Sequence, residues 1–283
     1  MEIRSLADTD FDTLYEAFAL SFADYEIHPG REELRKMLRR RGFAPELSFA
    51  AFDGDRIAAF TLNGIGQHDG VPTAYDTGTG TLPAYRGQGL ASRIFAGAIP
   101  HLKAAGIRQY LLEVLQHNPP AIAVYRKMGF ETTREFNYFR QEKRLAIRPQ
   151  KRPSFPHAIR PVEVDAIRRH ADFRDFRPAW QNDLDSIVRA GDDLLRIGLY
   201  RDDELMGYCI FEPATGDITQ LAVAPGHRRQ GIGSALFGHA FDNIASDTIK
   251  IINTEIACES FVCFLRKMNI PIQGKQFEMV RAW

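Results

Sequence analysis

Thr79-Gly-Thr-Leu-Pro-Ala-Tyr-Arg-Gly-Gln-Gly-Leu-Ala91 leads into an apolar-periodic run, and Leu221-Ala-Val-Ala-Pro-Gly-His-Arg-Arg-Gln-Gly-Ile-Gly233 leads into another. Aligned on Pro83 and Pro225, both read strand, Pro-x-x-Arg-x-x-Gly-x-Gly/Ala, helix. The likeness continues downstream, where Leu112-Glu-Val matches Thr254-Glu-Ile and Tyr125-Arg-Lys-Met matches Leu265-Arg-Lys-Met. The separation is 142 residues at Pro83, Arg86 and Glu113 and 140 at Arg126, so the second copy is two residues shorter between strand and helix. Solenoid repeats have periods of ~20–50 residues, so a repeat this long is a duplicated domain.

The join falls near the middle. Residues 148–161 hold four prolines and no amphipathic period. Proline removes a backbone donor and fixes φ, which predicts an extended connection there. The expected domains are residues 1–145 and 158–283, with 146–157 as the linker, and 283 residues suit two domains of ~150 each. With 36 Lys+Arg against 36 Asp+Glu, a chain-wide basic coat for nucleic acid is excluded. Hydrophobic residues at 45% and charged residues at 25% argue for a globular rather than a disordered chain. No apolar run reaches the ~18 residues of a membrane span, and Met1-Glu-Ile-Arg-Ser lacks the apolar stretch of a signal peptide. Cys209, Cys258 and Cys263 leave one cysteine over after any pairing, and Cys258-x4-Cys263 has no second ligand pair to make a zinc site. The expectation is a reduced, cytoplasmic protein without metal, membrane or nucleic-acid partner.

Within the first copy, residues 11–22 read as a helix with Phe11, Leu14, Tyr15 and Phe18 on one stripe. Residues 32–41 read as a second, basic helix; its buried stripe is Leu34, Met37 and Leu38, and a solvated face accounts for the charges. Strands at 48–52 and 56–62 flank Asp53-Gly54, a dipeptide suited to a hairpin. A strand follows at 73–82, then a helix at 89–105 that Pro100 should kink or end. Residues 110–115 read as a strand, 119–128 as a helix opened by Asn118 and proline, and 130–140 as extended. Strands and helices mixed in this order argue for α/β with a largely antiparallel sheet.

At Arg86-Gly-Gln-Gly-Leu-Ala91 a strand turns into a helix. Unpaired N–H groups and the positive end of the helix dipole meet in such a turn, and glycine lets the backbone close on a guest. The natural guest is a phosphate or pyrophosphate. A dinucleotide fingerprint needs a third glycine in register and a P-loop needs Gly-Lys-Ser/Thr; neither copy supplies them.

These residues resemble the GCN5-related N-acetyltransferases, the GNAT family. Its acetyl-CoA motif, Arg/Gln-x-x-Gly-x-Gly/Ala at a strand-to-helix turn, matches Arg86-x-x-Gly89-x-Ala91 and Arg228-x-x-Gly231-x-Gly233. The family's second motif has the spacing of Asn118-x-x-Ala121-x-x-Val124-Tyr125-x-x-x-Gly129-Phe130. The resemblance covers most of residues 1–140 and, less completely, 158–283. It implies two tandem domains, each a mostly antiparallel mixed sheet with a V-shaped splay of its central strands, flanked by helices. In the first copy the splay should open between 73–82 and 110–115. The resemblance also implies acetyl transfer from acetyl-CoA to an amine, with no metal. Thr79 and Thr81 would offer backbone groups to the pantetheine arm, and Arg86, Gly87, Gln88, Gly89, Leu90, Ala91 and Ser92 would wrap the pyrophosphate. Asn118 would orient the pantetheine, and Tyr125 would lie near the thioester sulfur. The matching positions of the second copy are Leu221, Val223, Arg229, Gln230, Gly231, Ile232, Gly233 and Ser234.

Acetyl transfer needs a neutral amine and a proton for the departing thiolate. Tyr125 is the candidate acid, because a phenol can hand over its proton; a core tyrosine beside Ile122 is the structural alternative. Glu113 is the candidate base, since alternation puts it between Leu111 and Leu115 on one strand face; an ion-paired glutamate is the alternative. Asp76, on the preceding strand, is a second candidate base and is counted with the acceptor-side residues. Phe22, Asp24, Tyr25 and Glu26 fall where the family receives its acceptor, and acids with aromatics suit a cationic amine. Small-molecule amines and peptide or protein amines both fit, and nothing in the residues sets the oligomeric state.

The second copy departs from the motif at the chemistry. Leu265 stands at the Tyr125 position, Asn269-Ile270 replaces Gly129-Phe130, and Cys258 or Ser260 falls at the Asn118 position. A leucine donates no proton, so this copy is expected to be inactive, to use another acid such as Tyr208, or to bind CoA without turnover. A non-catalytic CoA-binding tandem is the alternative of another class; the Tyr125 and Glu113 pair argues for an enzyme.

Overall fold

The computed structural model describes residues 1–24 and 28–283. The first copy runs β1 (Glu2–Ser5), α1 (Phe11–Ser21), α2 (Arg31–Arg41), β2 (Phe49–Asp53), β3 (Arg56–His68), β4 (Val71–Thr81), α3 (Leu90–Ala104), β5 (Gln109–Leu115), α4 (Pro119–Lys127) and β6 (Glu131–Glu142). The second runs β7 (Ala158–Pro161), α5 (Val164–Arg169), α6 (Leu184–Ala190), β8 (Leu195–Arg201), β9 (Glu204–Glu212), β10 (Asp217–Val223), α7 (Ile232–Asn243), β11 (Thr248–Glu255), α8 (Glu259–Lys267) and β12 (Ile272–Ala282). None of the helices among the described residues is long and apolar enough to cross a membrane.

Packing divides the chain into two compact units. The first holds Met1–Val114, Asn118–Thr133 and Glu278–Trp283; the second holds Leu115–His117 and Arg134–Phe277. The partition by packing thus differs from the partition by repeat at two strands. Most of β6 lies in the second unit, where it pairs antiparallel with β11 from Thr248↔Glu142 to Glu255↔Phe136. The last residues of β12 lie in the first, where the Trp283 indole donates to the Ile107 carbonyl at 2.9 Å.

In the first unit β1 to β4 are successive antiparallel neighbours, and β5 joins β4 in parallel. The apolar stripes of α1 and α2, Leu14, Phe18, Leu34 and Leu38, pack with Phe52, Phe60 and Leu62 of the sheet. A fully buried side chain such as Phe60 contributes roughly 1.5–3 kcal/mol by its removal from water. Phe95 of α3 packs edge-on against Tyr110 of β5 at 5.1 Å between ring centroids. The hairpin expected at Asp53-Gly54 is present, with Asp53↔Arg56 closing the register and Gly54 at φ 61°.

The structure refines two local expectations. β3 runs well past Leu62, to His68, and turns at Asp69 and Gly70, both left-handed (φ 56° and 73°), as a two-residue hairpin loop requires. Pro100 does not end α3, which is continuous from Leu90 to Ala104. Pro100 and Ala96, whose carbonyl it leaves unbonded, are both exposed, so water can serve that carbonyl.

In the second unit β7, β8, β9 and β10 are antiparallel neighbours, and β10 joins β11 in parallel. Its core gathers Leu199, Met206, Phe211, Leu236, Phe237 and Leu265.

Candidate active site

The register of β4 with β5 runs only from Thr73↔Gln109 to Tyr75↔Leu111. Both strands continue, β4 to Thr81 and β5 to Leu115, so they part beyond that point. The second unit repeats the feature: β10 and β11 share the single parallel pair Asp217↔Lys250 before each runs on.

Alternation along the strands decides what faces the opening. Tyr75 and Asp76 are neighbours on β4 and point to opposite faces, as do Leu112 and Glu113 on β5. Tyr75 donates to the Glu113 carboxylate, and burial first, then the Glu113 charge, pushes the Tyr75 phenol well above its ordinary value. Gly64, opposite Tyr75 in the register, abuts the Arg41 carbonyl at the end of α2. This is the α1–α2 face. On the other face Tyr110 donates to Asn63, the β3 partner of Asp76, and Tyr125 of α4 donates to Asp76 Oδ2 at 3.3 Å. Asp76 also accepts from Thr79 Oγ1 at 2.9 Å and from the Gly78 amide at 2.9 Å. Burial raises its carboxyl to about 6, against those three hydrogen bonds, which favour the charge.

The glycine loop follows β4. Gly87 (φ 77°) and Gly89 (φ 70°) are both left-handed, and Gly89 caps α3 with no side chain on the first amides. A Cβ placed on either glycine would meet nothing within 4 Å, so the cradle is open. Gly87, Gln88 and Gly89 are exposed, and Leu90, Ala91 and Ser92 begin the helix. Arg86 turns aside from the loop: it donates to Asp24 Oδ2 at 2.8 Å, to the Ser21 carbonyl at 3.1 Å and to the Thr81 carbonyl at 3.3 Å. It fastens the end of α1 to the end of β4. Asn118 caps α4, its Oδ1 accepting from the Ala121 amide at 3.3 Å.

Of the residues expected on the acceptor side, Phe22 packs on Phe18 at 4.6 Å between centroids, Asp24 is the Arg86 partner, and Tyr25 and Glu26 lie outside the described residues. Sequence reasoning missed Tyr75 and Asn63. The available signal was polar side chains inside the apolar strands, Asn63 in β3 and Tyr75-Asp76 in β4.

The second unit builds the same loop with different surroundings. Arg229 (φ 64°) and Gly231 (φ 96°) take the places of Gly87 and Gly89, and Gly231 caps α7 without a side-chain bond. Arg228 binds Asp175 at 2.6 Å and the Phe173 and Val223 carbonyls at 3.2 Å each, the counterpart of the Arg86 arrangement. Leu221 and Val223 of β10, Gly231, Gly233 and Ser234 line a cavity of about 330 Å³, with Gln230 and Ile232 between them in the chain. Cys258 caps α8 where Asn118 caps α4, which settles that alignment, but it makes no capping bond. Leu265 is wholly buried in the core. Tyr208 is buried as well, its hydroxyl donating to Gln220 Oε1 at 2.9 Å, and burial pushes its phenol far up. Among the described residues no cluster of three or more His, Cys, Asp or Glu could hold a metal ion.

Residues 11–130 and 163–258 match the model of the Acetyltransferase (GNAT) family. A mycothiol acetyltransferase of Thermobifida fusca is 34% identical over 125 residues, 40% of this chain and 38% of that protein. An N-alpha-acetyltransferase 30 of Schizosaccharomyces pombe is 30% identical over 87 residues, 30% of this chain and 58% of that protein. The chain therefore spans less than two thirds of either relative. Among solved structures, a tandem GNAT protein from the clavulanic acid biosynthesis pathway superposes with a TM-score of 0.76 at 16% identity, covering 99% of this chain and 98% of that one. A GCN5-related N-acetyltransferase from Sphaerobacter thermophilus gives 0.70 at 13% identity, covering 99% and 95%.

Proposed function

The chain belongs to the Acetyltransferase (GNAT) family, and we propose that its first unit transfers an acetyl group from acetyl-CoA directly to an amine. The observation that carries the reading is the parting of β4 and β5 beyond Tyr75↔Leu111, with Glu113 on one face of the opening and Tyr125 on the other. An open cradle at Gly87 and Gly89 suits the diphosphate of the cosubstrate, and the edge of β4 at Thr79 and Thr81 suits its pantetheine arm. The Asn118 amide N–H₂, not used in the cap, is a donor beside α4.

Roles follow from the two faces. The amine enters from the α1–α2 face, where Glu113 removes its proton and Tyr75 holds the carboxylate in place. The thiolate departs toward α4, where Tyr125 hands over its phenolic proton. Asp76, hydrogen-bonded to Tyr125, orients that hydroxyl and lies behind it. Direct attack requires no covalent intermediate on the protein. The second unit lacks a proton donor at the Tyr125 position and is non-catalytic in this reading. The relatives' names are a mycothiol acetyltransferase and an N-alpha-acetyltransferase, and in this reading the acceptor is an amine, carried by a small molecule, a peptide or a protein. Three cysteines without a disulfide suit the reducing cytoplasm.

The test is thiol release from acetyl-CoA across a panel of polyamines, amino sugars and peptides with free N-termini. Turnover with at least one amine, lost in Tyr125→Phe, supports the reading. Acetyl-CoA binding without turnover on any amine would make the tandem a binding module.

A further inference from the structure

The two glycine loops share a backbone but not a cover. At Gly89 the space a side chain would enter is open. At Gly231 the same space holds main chain from the proline-rich connection: a Cβ there would lie 2.6 Å from the carbonyl carbon and oxygen of Arg152 and 2.9 Å from Pro153 N. Real Cβ atoms essentially never come under 3.0 Å of another heavy atom, so only glycine fits beneath this segment. Lys151 reinforces the contact by donating from Nζ to the Arg229 carbonyl at 2.6 Å. Pro149, Gln150 and Lys151 also line the cavity of about 330 Å³ behind the loop.

The segment is tethered on both sides. Before it, the Ile147 amide donates to the Met268 carbonyl at 2.7 Å, and Arg148 makes a two-pronged pair with Asp242, both distances 2.6 Å. After it, Phe155 packs on the core of the unit, with the Arg201 guanidinium 5.4 Å over its ring. Between these tethers residues 147–153 form no helix or strand, so they hold their place through tethers and contacts alone.

We propose that residues 149–153 are a strap closed over the diphosphate seat of the second unit, so that this seat takes CoA only when the strap lifts. The inference rests on the reading that the first unit's loop is a CoA site. A diphosphate wrapped by the loop must touch its main chain, and at Gly231 the Arg152 main chain is already there. The second unit has kept its glycine because the strap, like a diphosphate, tolerates no side chain. The chain therefore carries one open seat, and the second opens only to a ligand or variant that releases Lys151 and Arg152 from the loop.

Isothermal titration of the full chain with CoA tests this. Wild type should bind one equivalent; two equivalents of similar affinity would overturn the strap. Gly89→Asp should bind none, and one retained equivalent would likewise overturn it. Adding Lys151→Ala and Pro153→Gly to Gly89→Asp should restore one equivalent, and a cooperatively folded triple variant that stays silent would overturn it too. Hydrogen exchange on wild type needs no variant: one equivalent of CoA should protect residues 86–92 and leave 147–153 and 228–234 unchanged, whereas protection at 228–234 would refute the closed seat. If wild type binds no CoA at all, the reading of the first unit fails, and the strap is then judged by whether its loosened variant gains a site.

Discussion

The Tyr125 hydroxyl donates to Asp76 Oδ2 at 3.3 Å across 49 positions of sequence, and the carboxylate it meets is one that burial holds at about 6. The folded protein thus binds this proton more tightly than the unfolded chain, whose value is 3.8. Stability from this group is fully present below the unfolded value and is lost as pH rises through about 6, a loss on the order of 2–3 kcal/mol at most. Asp76→Asn, which carries no charge at any pH, should raise Tm by a few degrees at pH 8 and by little at pH 4. Thermal melts of both proteins at the two pH values check it. An equal gain at both would show that the charge is not the cause.

Tyr125→Phe removes the phenolic proton and with it the hydrogen bond to Asp76, while the ring stays against Phe130 at 5.7 Å between centroids. Turnover should fall by ~10²-fold or more with CoA affinity nearly unchanged, because general-acid assistance is worth ~10²–10⁴. Steady-state kinetics paired with CoA titration separate the two quantities. Unchanged kcat would remove Tyr125 from the chemistry.

Arg86 offers a way to distinguish a fastener from a phosphate ligand. Its side chain is committed to Asp24, to Ser21 and to Thr81, so Arg86→Ala and Asp24→Ala should act alike. Each should raise KM for the amine several-fold and leave CoA affinity within about twofold, because a half-exposed pair contributes only ~0–1 kcal/mol. Were Arg86 a phosphate ligand, Arg86→Ala would weaken CoA binding and Asp24→Ala, by freeing the guanidinium, would strengthen it.

Much of the fold was legible because its signals are local. The Pro-x-x-Arg-x-x-Gly loops, the Asp53-Gly54 turn and the Asn118-Pro cap each specify backbone geometry within a few residues. Asp69-Gly70 was equally local and marks the true end of β3. Other features depend on pairings far apart in sequence. Nothing near Glu131 says that β6 will pair with β11, and nothing near Arg152 says that its carbonyl will lie against Gly231. At the site, alternation correctly put Glu113 on a face with Leu111, but the Tyr75 and Asp76 partners depend on the register of three strands.

Leu265 shows what the second copy has made of the Tyr125 position. It is wholly buried among the core residues of its unit, so Leu265→Ala should destabilise by about 2–5 kcal/mol through lost transfer and a cavity. The turnover of the folded fraction should not change. Chemical denaturation and kcat measured well below Tm test both halves. A large kcat loss without destabilisation would place chemistry in the second unit.

The last expectation concerns pH. If Glu113 removes the amine proton, kcat/KM should rise with pH through an ionisation of the enzyme, and Glu113→Gln should lower the rate and shift that limb. An amine of high pKa can produce a rising limb unaided, since its neutral form alone attacks. Acceptors of different pKa separate the two cases: a limb owned by the enzyme stays in place, and one owned by the substrate moves with the amine. Tyr75→Phe supplies an independent arm, because it removes the hydroxyl that holds the Glu113 carboxylate and leaves the carboxylate itself. It should lower kcat less than Glu113→Gln does while moving the same limb. If the limb follows the amine and both variants match wild type, the Tyr75 and Glu113 pair is structural and the proton leaves through water.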